Sequence, residues 1–592
     1  MQISKKQIRK IIGWLILVLS AIGFVLVIYE EGFKRPILSQ RNSLIVLKAI
    51  LTVIWGGYVG LYFMAKTSKL FTKKYLSELV VILLISFALG FIFSEYNLPW
   101  FSPVTQTITD RILVSVLTVL VFVLEVSKVS LKVNQLKINP SMLFILSFLL
   151  LILLGTIFLM LPNAHYGRIS MIDAVFTATS AVCVTGLIVL DTAKDFTLFG
   201  QLVILFLFQL GGLGMMTFTS FFGFFFRSSF SLQNQLFLKD FINEDNFSKI
   251  FSTLMKIISF TFLVEGVTIV LIFFTLDDAG FSQLEDKVFF SIFHGVSAFC
   301  NAGFSTLSNG LYQEGFRGNF DLHLILAISI VLGGIGFPVV VSYYSYLKHV
   351  IIGFVKKVFL GEAYRHVPRV VNIGTRLVMY TTLAFLVFGF VVYWFAEQNH
   401  TLDGLSPYGK IVTSIFGTVT PRTAGFNTVD MGALSMSTIV VMILLMYVGA
   451  SPGSTGGGLK TSTFAVAMLN AFSMAKGKDR VEFFKREISN ITLRKAFAVI
   501  ALSFLVIGLA IFLVVLFEPE KPILKVAFEV FSAFSTVGLS LGITAGLGTF
   551  SKIVLIFTMF IGRVGTLTIL IAFSRAVKNL SYRYPEESVF IT

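Results

Sequence analysis

Four short turns of small residues, each centred on a glycine, are the parts of this chain that can do chemistry. They read Ser180-Ala-Val-Cys-Val-Thr-Gly186-Leu187, Ser297-Ala-Phe-Cys-Asn-Ala-Gly303-Phe304, Val419-Thr-Pro-Arg-Thr-Ala-Gly425-Phe426 and Ser532-Ala-Phe-Ser-Thr-Val-Gly538-Leu539. An extended strand of small residues turns its backbone carbonyls to one side, and rings of such dipoles replace the hydration shell of a bare monovalent cation. Glycine is needed because its φ/ψ freedom lets adjacent carbonyls point the same way. None of the turns holds a carboxylate between its leading residue and its glycine, so calcium and magnesium, which call for such ligands, are disfavoured.

Two further features stand out. The run Gly449-Ala-Ser-Pro-Gly453-Ser454-Thr455-Gly456-Gly457-Gly458-Leu-Lys460-Thr461 interrupts an apolar helix that begins near Met436. At 1.5 Å per residue the break falls about 20 Å below the helix start, in the inner half of a bilayer. Its freed carbonyls and hydroxyls need a watery or protein-lined site. The run superficially resembles a phosphate-binding loop, but a leucine separates the last glycine from Lys460 and no soluble strand precedes it. A kink that merely eases packing is the plain alternative. The second feature is Arg563, about a dozen residues into an apolar helix, where insertion costs about 2.5–3.5 kcal/mol. Its depth matches that of the broken run. It can serve as a fixed positive charge in an ion pathway or as packing glue to loop carbonyls.

The elements that must position these residues are membrane helices. Of 592 residues, 56% are hydrophobic and 13% charged, against about 25% charged in soluble chains. Apolar runs cover Ile11 to Tyr29, Leu44 to Met64, Leu79 to Phe93, Met142 to Leu161 and Thr197 to Phe226, with more beyond. A helix in lipid satisfies its own backbone, so each run reads as a span. The first has a basic flank but no small-residue cleavage site, and reads as a retained helix. Basic loops at Lys66 to Lys74, Lys128 to Lys137, Lys348 to Arg376, Lys476 to Lys495 and Arg575 to Arg583 alternate with loops carrying Asp277, Asp278, Glu285, Asp286, Glu518 and Glu520. Positive-inside bias then puts both termini in the cytoplasm, with an even number of spans, about twelve. The net charge of +16 is thereby explained without nucleic acid. Cys183 and Cys300 suggest neither a disulfide framework nor a metal site.

The glycines of the four turns lie roughly 115 to 120 residues apart, the length of two spans and a segment that enters and leaves on one side. The expected fold is all-α and polytopic. Four pseudo-repeats of helix, pore loop and helix (about 139–240, 241–360, 361–485 and 486–592) surround one central pathway, after a four-helix extension over 1–138. The fourth leader span, beginning at Arg111, lacks an arginine at every third position, so scaffold or oligomer packing is preferred to voltage sensing. A membrane-embedded enzyme is the rival class. It would gather acids, histidines or a nucleophile at one depth, which the intramembrane polar residues do not do.

Thr536-Val537-Gly538 resembles the core of potassium-channel filters. From about residue 140 to 580, the chain resembles the membrane subunit of the Trk/Ktr/HKT potassium-transporter superfamily, nearest the bacterial Ktr type. The resemblance rests on Ala181 to Gly186, Ser297 to Gly303, Thr420 to Phe426, the broken run and Arg563. It implies potassium coordination by the carbonyls of Val184, Thr185 and Gly186; Asn301, Ala302 and Gly303; Thr423, Ala424 and Gly425; and Thr536, Val537 and Gly538. It also implies an intramembrane gate from Gly453, Ser454, Thr455, Gly456, Gly457, Gly458 and Lys460, facing Arg563. Plant relatives that prefer sodium carry serine at the first filter glycine, where this chain has Gly186; a sodium-permeable or sodium-coupled transporter remains the alternative. The family further implies a homodimer on a ring of Rossmann-type subunits that bind a regulatory nucleotide, with no cofactor in this chain. Tyr364 to Arg369 and Lys476 to Arg480 are the candidate docking loops, with positive-inside topology alone the equally weighted reading.

Overall fold

The structure, a computed structural model, describes residues 5–33, 37–64, 79, 81–87, 90, 103–133, 140–225, 250–276, 281, 283–360 and 372–573. These residues are helical apart from turns and one hairpin, β1 (Glu482–Phe483) antiparallel to β2 (Arg486–Glu487). Among the described residues, seven helices are long and apolar enough to cross a membrane, or eight if one bent pair is a single span. Large apolar side chains such as Phe274, Phe395 and Phe512 are exposed on their outer faces, as lipid-facing helices require.

The described part of the leader holds three long helices, α1 (Lys5–Gly32), α2 (Ile37–Phe63) and α3 (Pro103–Val133), each packed on the other two, and a short helical stretch over 81–87. Of the span expected over 79–93, residues 79, 81–87 and 90 are described and helical, with Val81 and Ile85 buried among Ile16, Ile54 and Tyr58. Helix α3 starts at Pro103, so Arg111 sits about two turns inside it and is not its first residue. The reason is electrostatic: Arg111 pairs with Glu31 of α1 at 3.0 Å, so a charged residue need not mark the helix end. Lys48 likewise meets Asp110 at 2.9 Å, and Tyr58 donates to the Glu125 carboxylate.

The remainder falls into four helical groups. The first is α4 (Pro140–Leu159), α5 (Met171–Val182) and α6 (Leu198–Phe225). The second is α7 (Ile250–Thr275), α8 (Leu284–Cys300) and α9 (Phe320–Ile335), continued by α10 (Phe337–Leu360). The third is α11 (Ile373–Ala396), α12 (Pro407–Val419) and α13 (Met436–Tyr447), resumed as α14 (Thr461–Ala475). The fourth is α15 (Asn490–Phe517), α16 (Ile523–Ser535) and α17 (Thr549–Val564), which turns by 88° into α18 (Thr566–Phe573).

The middle helix of each group is short, 12 to 17 residues. At 1.5 Å per residue it reaches at most about 26 Å, less than the hydrocarbon thickness. Local chemistry sets where it starts: Ser170 and Ser406 cap α5 and α12 by accepting backbone N–H bonds, and Pro407 occupies the first turn of α12. Each short helix then packs on the last helix of the preceding group: α6 with α8, α9 with α12, α13 with α16. Helix α17 packs on α5 and closes the cycle.

Candidate functional site

Helices α5, α8, α12 and α16 each run straight into one of the glycine turns. Two residues before the glycine the chain enters left-handed backbone, with φ of 56° at Val184, 59° at Asn301, 78° at Thr423 and 51° at Thr536. The glycines follow at 87°, 70°, 81° and 97°. A left-handed L-residue costs about 1–2 kcal/mol, so the turns must be held from outside. Hydroxyls hold them. Ser180 Oγ donates to Leu187 O at 2.7 Å and accepts from Gly186 N–H at 3.1 Å. Ser297 Oγ donates to Phe304 O at 2.8 Å, and Ser532 Oγ accepts from Gly538 N–H at 3.0 Å. Val419 aligns with these serines and has no hydroxyl; Thr420, one residue on, supplies it by donating to Phe426 O at 2.5 Å.

The four turns meet. A Cβ added at Gly186 would lie 2.5 Å from Ala302 O; at Gly303, 2.8 Å from Ala424 O; at Gly425, 2.3 Å from Val537 O; at Gly538, 2.2 Å from Thr185 O. Each glycine thus abuts the next turn's carbonyl in the same cyclic order as the helices. The residues expected as ligands, Val184 to Gly186, Asn301 to Gly303, Thr423 to Gly425 and Thr536 to Gly538, are brought together around one point. A cross-link reinforces the inner rim: the Asn301 carboxamide, with Nδ2 on Ala298 O (3.0 Å) and Ile330 O (3.2 Å), accepts from Thr423 Oγ1 at 3.2 Å.

The glycine-rich run lies against this rim. Its ends are joined by a parallel bridge between Val448 and Leu459. Gly457 N–H donates to Thr536 Oγ1 at 2.9 Å. A Cβ at Gly456 would collide with Thr423 Oγ1, at Gly457 with Thr536 Oγ1, and at Gly458 would sit 3.0 Å from Ser535 Cα. Close approach, more than backbone freedom, is why glycine stands at 456 and 457. Arg563 is fully buried; Nη1 donates to Thr455 O and Nη2 to Gly211 O at 2.6 Å. Lys460 Nζ donates to Gly456 O at 2.6 Å. Gly453 and Ser454 belong to a different part of the run. Gly453 O accepts from Phe337 N–H at 3.1 Å, anchoring the loop where α9 breaks into α10, and Ser454 Oγ closes a local turn on Ser451 O at 2.6 Å.

One set of positioning residues escaped the sequence reading. Gly211, Gly333 and Gly562, on α6, α9 and α17, press on the ends of the short helices; an added Cβ would strike Val182 O, Phe299 O and Phe534 O. Their signal was available as a recurring Gly-x-x-Gly: Gly211 to Gly214, Gly333 to Gly336 and Gly562 to Gly565. Arg563 stands in this pattern where the first two groups have Gly212 and Gly334. The trailing glycines Gly336 and Gly565, at φ of 89° and 90°, are where α9 and α17 break. Cys183 and Cys300 are free and buried, and the described residues contain no metal-ligating cluster.

An all-helical, multi-span membrane protein whose carbonyl-bearing turns converge on one point defines the class of cation transporters. The chain belongs to the TrkH cation transport protein family, whose model matches residues 107–582. That match begins inside α3. The chain is 34% identical over 448 residues to the Ktr system potassium uptake protein B of Bacillus subtilis, covering 75% of this chain and 95% of that protein. It is 34% identical over 464 residues to the potassium/sodium uptake protein NtpJ of Enterococcus hirae, covering 75% and 95%. Its fold is similar to the crystal structure of the potassium transporter TrkH from Vibrio parahaemolyticus. The TM-score is 0.58 at 16% identity, over 84% of this chain and 97% of that one. Membership of a transport family sets aside the membrane-embedded enzyme.

Proposed function

We propose that the chain takes up potassium across the cell membrane through a selectivity filter made of the four glycine turns. The four groups are read as pseudo-repeats around one pathway, with about twelve spans in all and both termini cytoplasmic. The observation that carries this reading is the cyclic contact of Gly186, Gly303, Gly425 and Gly538 with the neighbouring turn's carbonyl. Four such carbonyls around one axis offer oxygen dipoles without formal charge, which suits a large monovalent ion. The run from Gly453 to Lys460, with Arg563, acts as the gate. Support comes from its seating on Thr423 and Thr536, directly inside the turns.

A sodium-permeable or sodium-coupled transporter is the second reading, favoured by the potassium/sodium name of the Enterococcus hirae relative. Rubidium and sodium uptake by purified protein in vesicles, with and without a sodium or proton gradient, separates the two. Rubidium uptake that ignores the sodium gradient supports the first; sodium uptake equal to that of rubidium overturns it. The name of the Bacillus subtilis relative speaks of a system, and the partners proposed are a second copy of this chain and a Rossmann-type nucleotide-binding subunit. The nucleotide would bind that subunit and leave this chain without a cofactor.

A further inference from the structure

Cationic side chains hold the carbonyls of three successive residues in the glycine-rich loop. Arg563 takes Thr455 O; Lys460 Nζ takes Gly456 O at 2.6 Å and lies 3.4 Å from Gly457 O. The segment that carries these oxygens is seated against the glycine turns: Gly456 and Gly457 abut Thr423 and Thr536.

The two cations are held differently. Arg563 is wholly buried and bridges two segments, the loop and Gly211 of α6, so it is fixed from both sides. Lys460 is half-buried and its ammonium contacts the loop alone. Among the described residues no carboxylate pairs with it. It stands at the N-cap of α14 with no side-chain capping bond, while its backbone carbonyl accepts from Thr463 and Phe464. The side chain can therefore swing away on its four-carbon stem without unwinding α14. An ammonium is a compact, single positive charge with donors only. Seated on backbone carbonyls without an acid, it occupies the kind of oxygen site that a bare monovalent cation takes in a filter.

We infer that Gly456 O and Gly457 O form an inner site for a monovalent cation, that the Lys460 ammonium is its tethered occupant, and that a permeating ion exchanges with it. This rests on the glycine turns being the filter. The exchange follows the logic of adjacent filter sites: an ion arriving in the turns repels the ammonium, and its departure lets the ammonium return. Lys460 is then a built-in competitor of the transported ion, while Arg563 keeps the loop seated.

The test uses the full-length protein and rubidium, located by anomalous diffraction and followed as flux into vesicles. In the wild type, rubidium is expected in the glycine turns only. In Lys460→Met it is expected also at Gly456 O and Gly457 O, with rubidium flux severalfold higher; Lys460→Arg should leave the loop site empty. Rubidium in the turns but not at the loop of Lys460→Met overturns the inference. Rubidium in neither place overturns the filter reading itself. Lys460→Gln guards against loop collapse, since it keeps an N–H donor and removes the charge. Raised flux in that variant supports the inference, and wild-type flux sinks it, because a neutral hydrogen bond would then suffice to hold the loop.

Discussion

At the scale of single residues, the site depends on positions where no side chain fits. Gly186 combines positive φ with contact on Ala302 O and on the Gly303 backbone, so a side chain there pushes two turns apart. Gly186→Ser is expected to lower discrimination between potassium and sodium, read as the ratio of their uptake rates in vesicles; an unchanged ratio would remove Gly186 from the filter. Gly562 shows the same principle away from the ion. Its added Cβ would overlap Phe534 O, the carbonyl of a residue ending α16. Gly562→Ala is expected to destabilise the protein by about 1–3 kcal/mol, as overpacking does. Thermal melting of the solubilised protein measures this, and an unshifted melting temperature would mean that α17 can move aside freely.

At the scale of elements, the broken third group is the informative one. Helix α13 stops at Tyr447 and α14 starts at Thr461, and the loop between them is fastened on several sides: to Gly333 O and Gly334 O of α9, to Thr536 and to Arg563. The segment is thus fastened to α9, α17 and one glycine turn. Deleting Gly456 to Gly458 is expected to raise potassium flux above wild type, because the shortened loop no longer reaches Thr423 and Thr536. Arg563→Ala is expected to act in the same direction by removing both a seat of the loop and a positive charge facing the ion. Flux assays on the two purified variants decide the matter; unchanged or lower flux in both, with normal melting, would assign loop and arginine to packing.

At the scale of the molecule, the leader and the basic hairpin beyond α14 are tied in by a few polar contacts. The leader is joined to the first group where Gly32 O accepts from Asn163 N–H at 2.9 Å and Glu31 O from Asn163 Nδ2 at 2.8 Å. Asn163 O in turn accepts from Thr197 Oγ1 at 2.6 Å, at the start of α6. Beyond α14, Lys478 and Arg480 form ion pairs of 3.5 Å with Glu482 and Glu487 of the hairpin. Such exposed pairs contribute little to stability, so the basic side chains can be given up to a partner. Neutralising Lys476, Lys478 and Arg480 is expected to loosen a copurifying Rossmann-type subunit without lowering the melting temperature. Full retention of that subunit would exclude this loop as its dock. The other candidate docking loop, Tyr364 to Arg369, lies outside the described residues.

Much of this was legible in the chain itself. Glycine period, apolar run length and the unhelical composition of 449–461 are local properties, and a bilayer narrows the physical readings of each. They were enough to nominate the turns, the loop and Arg563, and to find the family resemblance. What the sequence could not decide was which group meets which. The cyclic order of the turns, the second partner of Arg563 on Gly211 O, the separation of Gly453 and Ser454 from the seated part of the loop, and the ammonium of Lys460 on Gly456 O are all set by packing. Most of these contacts join residues far apart in the chain, and backbone carbonyls carry no residue-type signal. Only the tertiary structure states which donor each of them receives.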